Sequence, residues 1–162
     1  KGPDGLEEAI LLARKYSDRV LAEAYIPGKE LTVAVWGEGD ETRALPIIEI
    51  RPRLAFYTYE AKYTPGSSVY LCPAPLDAEM AEKVEAASVK AHRALGCSVY
   101  SRVDLRLSPE GEPFVLEVNT APGMTGTSLV PKAGRAAGWE FPELLSRISE
   151  KSIEVDRRPQ GR

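Results

Sequence analysis

The stretch from Cys97 to Asn119, which reads CSVYSRVDLRLSPEGEPFVLEVN, decides the fold. Its first part alternates, with Cys, Val, Ser, Val, Leu and Leu at the odd positions from 97 to 107 and Tyr, Arg, Asp and Arg at the even positions from 100 to 106. Successive side chains of a strand point to opposite faces, so this pattern predicts a half-buried strand over 97–107. The SPEG sequence that follows is typical of a hairpin turn, and Pro113–Asn119 is the predicted partner strand.

The pairing of these two strands decides which side chains share a face. A slip of one residue would move every side chain to the opposite face, and we predict the register that places Val103 and Leu116 together in the core. Four polar residues then project from the other face: Arg102, Asp104, Glu117 and Asn119. Carboxylate and amide oxygens suit Mg²⁺, and an arginine beside them can hold an anion. The alternative is a solvated face on which Arg102 and Glu117 form a cross-strand ion pair, and the spacing alone leaves both interpretations open.

The segment after the second strand, NTAPGMTGTSLVP from Asn119 to Pro131, passes through a Pro-Gly turn and reaches a predicted helix start at Ser128. The free N–H groups and the dipole of a helix N-terminus favour a carboxylate or a phosphate. Ser128 would add a hydroxyl, and Gly123 allows its backbone N–H to approach a reacting atom. The alternative is that Ser128 is an ordinary N-cap after a turn.

The remaining segments predict an α+β fold. Upstream of the decisive stretch we predict a capped helix from Asp4 to about Lys15, a hairpin of Val20–Ile26 with Glu30–Trp36, a third strand Ala44–Ile50 and a long functional loop over 51–68. A longer helix opens at Asp77 and ends at Gly96, with an apolar stripe formed by Met80, Val84, Ala87, Ala91 and Leu95. Because strands and helices do not alternate regularly, we expect a mainly antiparallel sheet with its flanking helices on one side.

The end of the chain predicts two short helices and a tail. The helices are predicted around 128–137 and 142–150. The residues that follow have little apolar content, so we treat 1–150 as one domain and 151–162 as a disordered polar tail.

The composition excludes several classes of protein. The 162 residues carry 21 basic and 24 acidic side chains, a net charge of −3, and 43% apolar residues, which is typical of one soluble domain. No uncharged run approaches the roughly 20 apolar residues of a membrane-spanning helix, and the first residues do not resemble a signal peptide, so we expect a cytoplasmic protein without a membrane partner. One histidine and two separated cysteines do not form a His- or Cys-rich metal centre. Without basic blocks a nucleic-acid partner is not expected, and small-molecule chemistry is favoured.

An ordered set of motifs makes the assignment more specific. The segments are EAYIPGKE (23–30), YEAKY (59–63), SRVD (101–104), EVNTAPGMT (117–125) and SLVP (128–131). In this order and spacing they resemble the D-alanine:D-alanine ligases, which are ATP-grasp enzymes. The resemblance implies the C-terminal ATP-grasp subdomain of a cytoplasmic, homodimeric enzyme of peptidoglycan synthesis. In such an enzyme ATP phosphorylates the carboxylate of one D-alanine, and the amine of a second attacks the acyl phosphate.

The resemblance also implies a role for each matching residue. Asp104, Glu117 and Asn119 would ligate two Mg²⁺ ions, or Mn²⁺, that bridge the ATP phosphates. Arg102 and the N–H of Gly123 would stabilise the oxyanion, and Ser128 with the N–H of Leu129 would bind the carboxylate of the second D-alanine. Glu23, Tyr25 and Ile26 would lie along the adenine, Glu30 would bind the ribose hydroxyls, Lys62 would reach the phosphates, and Tyr63 would help to close the substrate site.

The sequence leaves other functions open. A ligase that uses D-lactate would share the ATP and metal residues, although Tyr63 after Lys62 is typical of the dipeptide-forming type. Another carboxylate–amine ligase of the ATP-grasp class and a non-catalytic binding module are further alternatives. Relatives often have Gly at position 101, where this chain has Ser101. The N-terminal and central regions of the family do not match anything in this chain, so we expect these 162 residues alone to turn over little or no substrate.

Overall fold

A computed structural model of the protein describes residues 5–52 and 68–157. The strands are β1 (Lys29–Trp36), β2 (Arg43–Ala44), β3 (Ile48–Pro52), β4 (Ser68–Leu71), β5 (Tyr100–Leu107) and β6 (Pro113–Asn119). The helices are α1 (Leu6–Ala13), α2 (Ala78–Ala94), α3 (Leu129–Ala136) and α4 (Phe141–Asp156), and a 3₁₀ turn spans Gly39–Glu41. Within the described ranges, no helix is long and apolar enough to cross a membrane.

The strands form one antiparallel sheet in the order β4-β3-β1-β5-β6, with β2 paired to the end of β1. The predicted α+β class and mainly antiparallel sheet are therefore confirmed. The helices do not all lie on one side, as the sequence had led us to expect. Leu31, Val33, Val35, Val103, Leu105 and Leu107 pack with Val84 of α2 on one face, whereas Ala34 and Ile48 pack with Val130, Ala133, Trp139 and Leu144 of the α3–α4 region on the other.

The predicted hairpin of Val20–Ile26 with β1 is wrong. Both edges of β1 are already taken, because β3 pairs along one edge and β5 along the other. Val20–Ile26 has no strand assignment and is mostly exposed. The third predicted strand is also divided into β2 and β3, which lie on either side of Pro46. Proline has no N–H for a sheet ladder, so a continuous strand across that position is unfavourable.

The hairpin of β5 and β6 is confirmed, but its register is not the predicted one. Val103 lies opposite Val118 rather than beside Leu116 in the core. A β-bulge at Asp104/Leu105 places Glu117 opposite Asp104 and Val115 opposite Leu105, so Leu116 is the extra residue and is 50% exposed. Such a bulge leaves two residues facing one and reverses the side-chain alternation beyond it. The predicted polar face survives because Asp104 and Glu117 lie on the near side of the bulge.

The helices differ from prediction mainly at their ends. The carboxylate of Asp77 caps α2 by accepting from the N–H of Met80 at 2.8 Å, as the sequence indicates. Leu95 is exposed, however, and the buried positions of α2 include His92. The last helix continues to Asp156, six residues beyond the predicted end at 150, so the segment 151–162 begins in helix.

Candidate active site

A cleft of about 630 Å³ opens on the sheet face that also carries α3. Eight residues selected from the sequence line it: Glu30, Arg102, Asp104, Glu117, Asn119, Gly123, Ser128 and Leu129. Most of the cleft wall is made by the outward-facing side chains of β1, β5 and β6 and by the turn before α3. The antiparallel pairing therefore brings together residues that are up to about a hundred positions apart in sequence.

Asp104 is the most tightly held acidic group in the cleft. The guanidinium of Arg102 donates two hydrogen bonds to it, from Nε to Oδ1 at 2.9 Å and from Nη2 to Oδ2 at 2.7 Å. The buried Thr32 donates its hydroxyl to the same Oδ1 at 2.6 Å, because Thr32 lies opposite Asp104 in the β1–β5 pairing. Charge-assisted and bidentate bonds of this kind fix the direction of a carboxylate. Asp104 is therefore preorganised toward the cleft.

Glu117 and Asn119 complete the polar face. Glu117 lies opposite Asp104, with its Oε1 at 3.7 Å from Nη2 of Arg102, and Asn119 lies opposite Arg102. The side-chain oxygen of Asn119 accepts from the N–H of Ala121 at 3.0 Å, which fixes the amide at the end of β6. The ion pair offered as the alternative interpretation thus exists, but the same guanidinium nitrogen lies closer to Asp104.

These residues fit a hard divalent cation. The two carboxylates both lie near the guanidinium of Arg102, at 2.7 Å for Asp104 and 3.7 Å for Glu117. Two carboxylates and one amide oxygen are the donors that Mg²⁺ prefers when phosphate oxygens and waters supply its other ligands. In 5–52 and 68–157 no cluster of three or more His, Cys, Asp or Glu side chains is placed to bind a metal. A cation here would therefore depend on Asn119 and on the substrate.

The turn before α3 forms a polar end of the cleft. Ser128 is the N-cap residue of α3, yet its hydroxyl makes no capping bond to the helix. The hydroxyl instead lies 3.0 Å from the N–H of Thr125 and 2.8 Å from its hydroxyl. A Cβ on Gly123 would lie 3.3 Å from the Ser128 oxygen, a close contact that glycine avoids. The first N–H groups of the helix have no intrahelical acceptor and can bind an anion.

The predicted nucleotide residues divide into two groups. Glu30 lines the cleft, whereas Glu23 and Tyr25 are exposed and Ile26 is half-buried upstream of β1. Of these upstream residues, Tyr25 and Ile26 contact Arg106, which also approaches Glu30. Lys62 and Tyr63 lie outside the described residues.

Sequence reasoning missed Thr32 and Arg106. Thr32 is recognisable only once β1 is known to pair with β5, and the sequence had paired β1 with Val20–Ile26 instead. Arg106 does stand on the predicted polar face of β5, in line with Arg102 and Asp104. That alternation was a usable signal for Arg106, but it carried no information about the residue's partners.

Comparison with known proteins gives one consistent result. Residues 2–150 match the family model described as the D-ala D-ala ligase C-terminus. The D-alanine–D-alanine ligase of Methylacidiphilum infernorum is 49% identical over 147 residues, which cover 91% of this chain and 47% of that protein. The structure of the Bacillus anthracis D-alanine–D-alanine ligase complexed with ATP is 40% identical with a TM-score of 0.78, over 95% of this chain and 49% of that one.

A third relative shows how far the likeness extends. The VanG D-Ala:D-Ser ligase of Enterococcus faecalis is 35% identical with a TM-score of 0.77, over 92% of this chain and 43% of that one. The chain therefore spans about half the length of the relatives it matches. Ligases named for different second substrates share this fold.

Proposed function

Because this chain belongs to the family of the D-ala D-ala ligase C-terminus, we propose that it is the nucleotide, metal and second-substrate half of an ATP-dependent D-alanine:D-alanine ligase. The observation that carries the proposal is the convergence of Arg102, Asp104, Glu117, Gly123 and Ser128 in one cleft. These residues come from two strands and a loop whose positions are set by the fold.

The proposed reaction has two steps. A carboxylate oxygen of the first D-alanine attacks the γ-phosphorus of ATP, the bond to the ADP oxygen breaks, and an acyl phosphate forms. The amine of the second D-alanine then attacks the acyl carbon, loses a proton and expels inorganic phosphate. Phosphoryl transfer requires positioning and charge neutralisation more than covalent help from the protein.

Asp104, Glu117 and Asn119 would hold Mg²⁺, or Mn²⁺, against the phosphates of ATP. When bound, the metal neutralises the charge that moves during phosphoryl transfer. The β5–β6 register on the near side of the bulge, which pairs Glu117 with Asp104 and Asn119 with Arg102, supports this role. Glu117, with 60% of its side chain exposed, is the member most open to the cleft.

Arg102 and Gly123 would act on the second step. As the amine adds to the acyl phosphate, negative charge develops on the former carbonyl oxygen. Preorganised donors aimed at such an oxygen stabilise the transition state. The guanidinium of Arg102 and the N–H of Gly123 line the same cleft, and Ser128 with the N–H of Leu129 would hold the carboxylate of the second D-alanine.

The nucleotide would extend from the metal face toward the segment before β1. We propose that Glu23 binds the adenine amino group, that Tyr25 and Ile26 offer backbone contacts, and that Glu30 binds the ribose hydroxyls. Lys62 and Tyr63 are proposed for the phosphates and for closure of the substrate site. The rest of the proposal follows the family: a cytoplasmic homodimer that supplies D-alanyl-D-alanine for peptidoglycan, with no nucleic-acid or membrane partner.

A hybrid protein tests this function. The chain replaces the matching half of the Methylacidiphilum infernorum relative, and release of phosphate and formation of D-alanyl-D-alanine are followed with Mg²⁺, ATP and D-alanine. We expect turnover on the order of 10 s⁻¹, a typical enzyme rate. Glu117→Gln should lower turnover at least about a hundredfold, the usual scale for removal of a catalytic group. Glu112 lies in the β5–β6 turn, outside the cleft lining, so Glu112→Gln should leave turnover unchanged.

The same assay separates the competing functions. D-lactate and D-serine are offered in place of the second D-alanine, because ligases of this fold differ in that substrate. Preference for either would replace D-alanine as the second substrate while keeping the ATP and metal roles. A folded hybrid that releases no phosphate with any of the three would contradict the ligase function and favour a binding module.

A further inference from the structure

Arg106 occupies a central place on the outer face of β5. It follows Arg102 and Asp104 at two-residue intervals and lies opposite Glu30 in the β1–β5 pairing. Only 19% of its side chain is exposed. A guanidinium that is largely withdrawn from water requires partners for its N–H groups.

Among the described residues, the partners of Arg106 come from one short segment before and at the start of β1. Its Nε donates to the carbonyl of Ile26 and its Nη2 to the carbonyl of Gly28, both at 3.0 Å. Its Nη1 lies 3.6 Å from the carboxylate of Glu30, and its Cζ lies 5.7 Å from the centre of the Tyr25 ring. The planar guanidinium has a fixed fork of donors, so it holds the two carbonyls in a fixed relation.

Within 5–52 and 68–157, the segment that Arg106 holds is not part of the sheet. Residues 20–28 belong to no helix or strand, and the ring of Tyr25 is 78% exposed. Besides the bonds to Arg106, the segment is fixed at Gly28, whose φ of +109° directs the chain against the end of β5. A Cβ at Gly28 would collide with the carbonyl oxygen of Leu107, which leaves no room for a side chain. Arg106 therefore fixes the direction in which the chain enters β1.

We infer that Arg106 is a positioning residue for the base and ribose end of the nucleotide. The inference rests on the proposed function, in which the backbone of Tyr25 and Ile26 meets the adenine and Glu30 meets the ribose. Arg106 holds all three of these residues at once and does not itself line the cleft. Its removal should weaken recognition of the nucleoside while leaving the metal and phosphate face intact.

Two ligands allow the nucleoside end and the phosphate end of the nucleotide to be tested separately. A non-hydrolysable ATP analogue and inorganic tripolyphosphate, each with Mg²⁺, are titrated by calorimetry into the hybrid protein. Arg106→Met keeps the length and apolar stem of the side chain and removes its donors. It should raise the dissociation constant of the ATP analogue about tenfold and leave that of tripolyphosphate unchanged, whereas Arg106→Lys should give a smaller loss.

Arg93→Met is the matched control. Arg93 also donates to a glycine carbonyl, that of Gly39 at 2.6 Å, but at the C-terminal end of α2 and outside the cleft lining. Arg93→Met should leave the dissociation constants of the ATP analogue and of tripolyphosphate unchanged. Equal affinity for the ATP analogue in Arg106→Met and the unsubstituted hybrid would overturn the inference, as would an equal loss for both ligands. If the unsubstituted hybrid binds neither ligand, the proposed function fails, and this role fails with it.

Limited chymotrypsin digestion of the 162-residue chain tests the contact itself. Cleavage after Tyr25 should become several-fold faster in Arg106→Met, because the segment loses the bonds that hold it. Cleavage after Tyr16, which is 86% exposed and has no contact with Arg106 among the described interactions, should keep its rate and serves as the internal control. An unchanged ratio of the two cleavage rates would overturn the inference.

Discussion

Asp104 shows how one residue depends on groups that are far apart in sequence. The sequence identified its face and its neighbour Arg102 because two-residue spacing within one strand is local information. Thr32 is 72 positions away and comes into contact only through the pairing of β1 with β5. A sequence pattern contains no direct record of which strands pair. The face that carries Asp104 and Arg102 was therefore predictable, and the hydroxyl that orients Asp104 was not.

Substitution of Thr32 tests the role of that hydroxyl. Thr32→Val should lower the free energy of unfolding by about 1 kcal/mol, the usual net value of one hydrogen bond, since Asp104 keeps its bonds to Arg102. Urea unfolding of the chain measures this change. Thr42→Val is the control, because Thr42 makes a comparable hydroxyl bond to the Gly39 carbonyl at an exposed turn. Equal effects of the two substitutions would contradict a special role for Thr32.

His92 is a second residue whose partners the sequence did not reveal. It is fully buried, with Nε2 at 2.9 Å from the carbonyl of Gly37 and Nδ1 at 2.7 Å from the hydroxyl of Ser101. A carbonyl only accepts, so Nε2 carries the proton and Nδ1 accepts from Ser101. Ser101 thus has a partner on the sheet face away from the cleft.

The stability of the protein should depend on pH through His92. Burial lowers the pKa of His92 from its ordinary value of 6.5, against the smaller opposing effect of its backbone hydrogen bonds, and nearby Arg93 adds to the lowering. The unfolded chain therefore takes up the proton at a higher pH than the folded one, so stability begins to fall as pH decreases below about 6.5 and stops falling once pH is below the folded pKa. Urea unfolding between pH 7 and 5 should show this loss in the unsubstituted chain. The difference from His92→Gln should shrink toward pH 5, and a constant difference would contradict the account.

The bulge between β5 and β6 is an element that could not be predicted from the sequence. Regular alternation predicts one set of side chains for each face along a whole strand. One extra residue in β6 leaves Glu117 and Asn119 on the predicted face but removes Leu116 from the core. Nothing in the apolar pattern FVLEV marks which residue is extra. The same limitation explains the wrong hairpin, since Val20–Ile26 has the composition of a strand but no free edge of β1 to pair with.

Two leucine substitutions test the bulge. Leu116→Ala should cost less than about 1 kcal/mol of stability, because half of that side chain is already exposed. Leu105→Ala, at a fully buried position across the bulge, should cost about 2–5 kcal/mol through lost burial and the cavity left behind. Urea unfolding of the two variants provides the comparison. The predicted register without a bulge would instead give a large loss for Leu116→Ala.

At the scale of the whole molecule, the fold class and most of the cleft were predictable from the sequence. The strongly periodic strand β5, the capped helix α2 and the motif order were sufficient for both. The positions of the helices on both sheet faces were not, since they depend on long-range packing. The chain also spans only about half of its relatives, so the cleft is one wall of the proposed ligase site.

The chain alone should therefore turn over little or no substrate. Phosphate release with Mg²⁺, ATP and D-alanine by the 162-residue chain should remain near the uncatalysed background, while the hybrid protein reaches ordinary enzyme rates. In the proposed function, groups from the other half of the relatives would help to position both substrates, and loss of such positioning removes much of an enzyme's acceleration. Turnover by the isolated chain near about 10 s⁻¹ would show that this half is sufficient.

The most direct test of the account is a calorimetric titration of a non-hydrolysable ATP analogue with Mg²⁺ into the hybrid protein and its variants. The central claim is that the Asp104, Glu117 and Asn119 face holds the metal and the nucleotide phosphates. Glu117→Gln should weaken binding at least about tenfold, equivalent to about 1.4 kcal/mol, and Glu112→Gln should leave it unchanged. Equal affinity in all three proteins would contradict the claim, because the nucleotide would then bind without this face of the sheet.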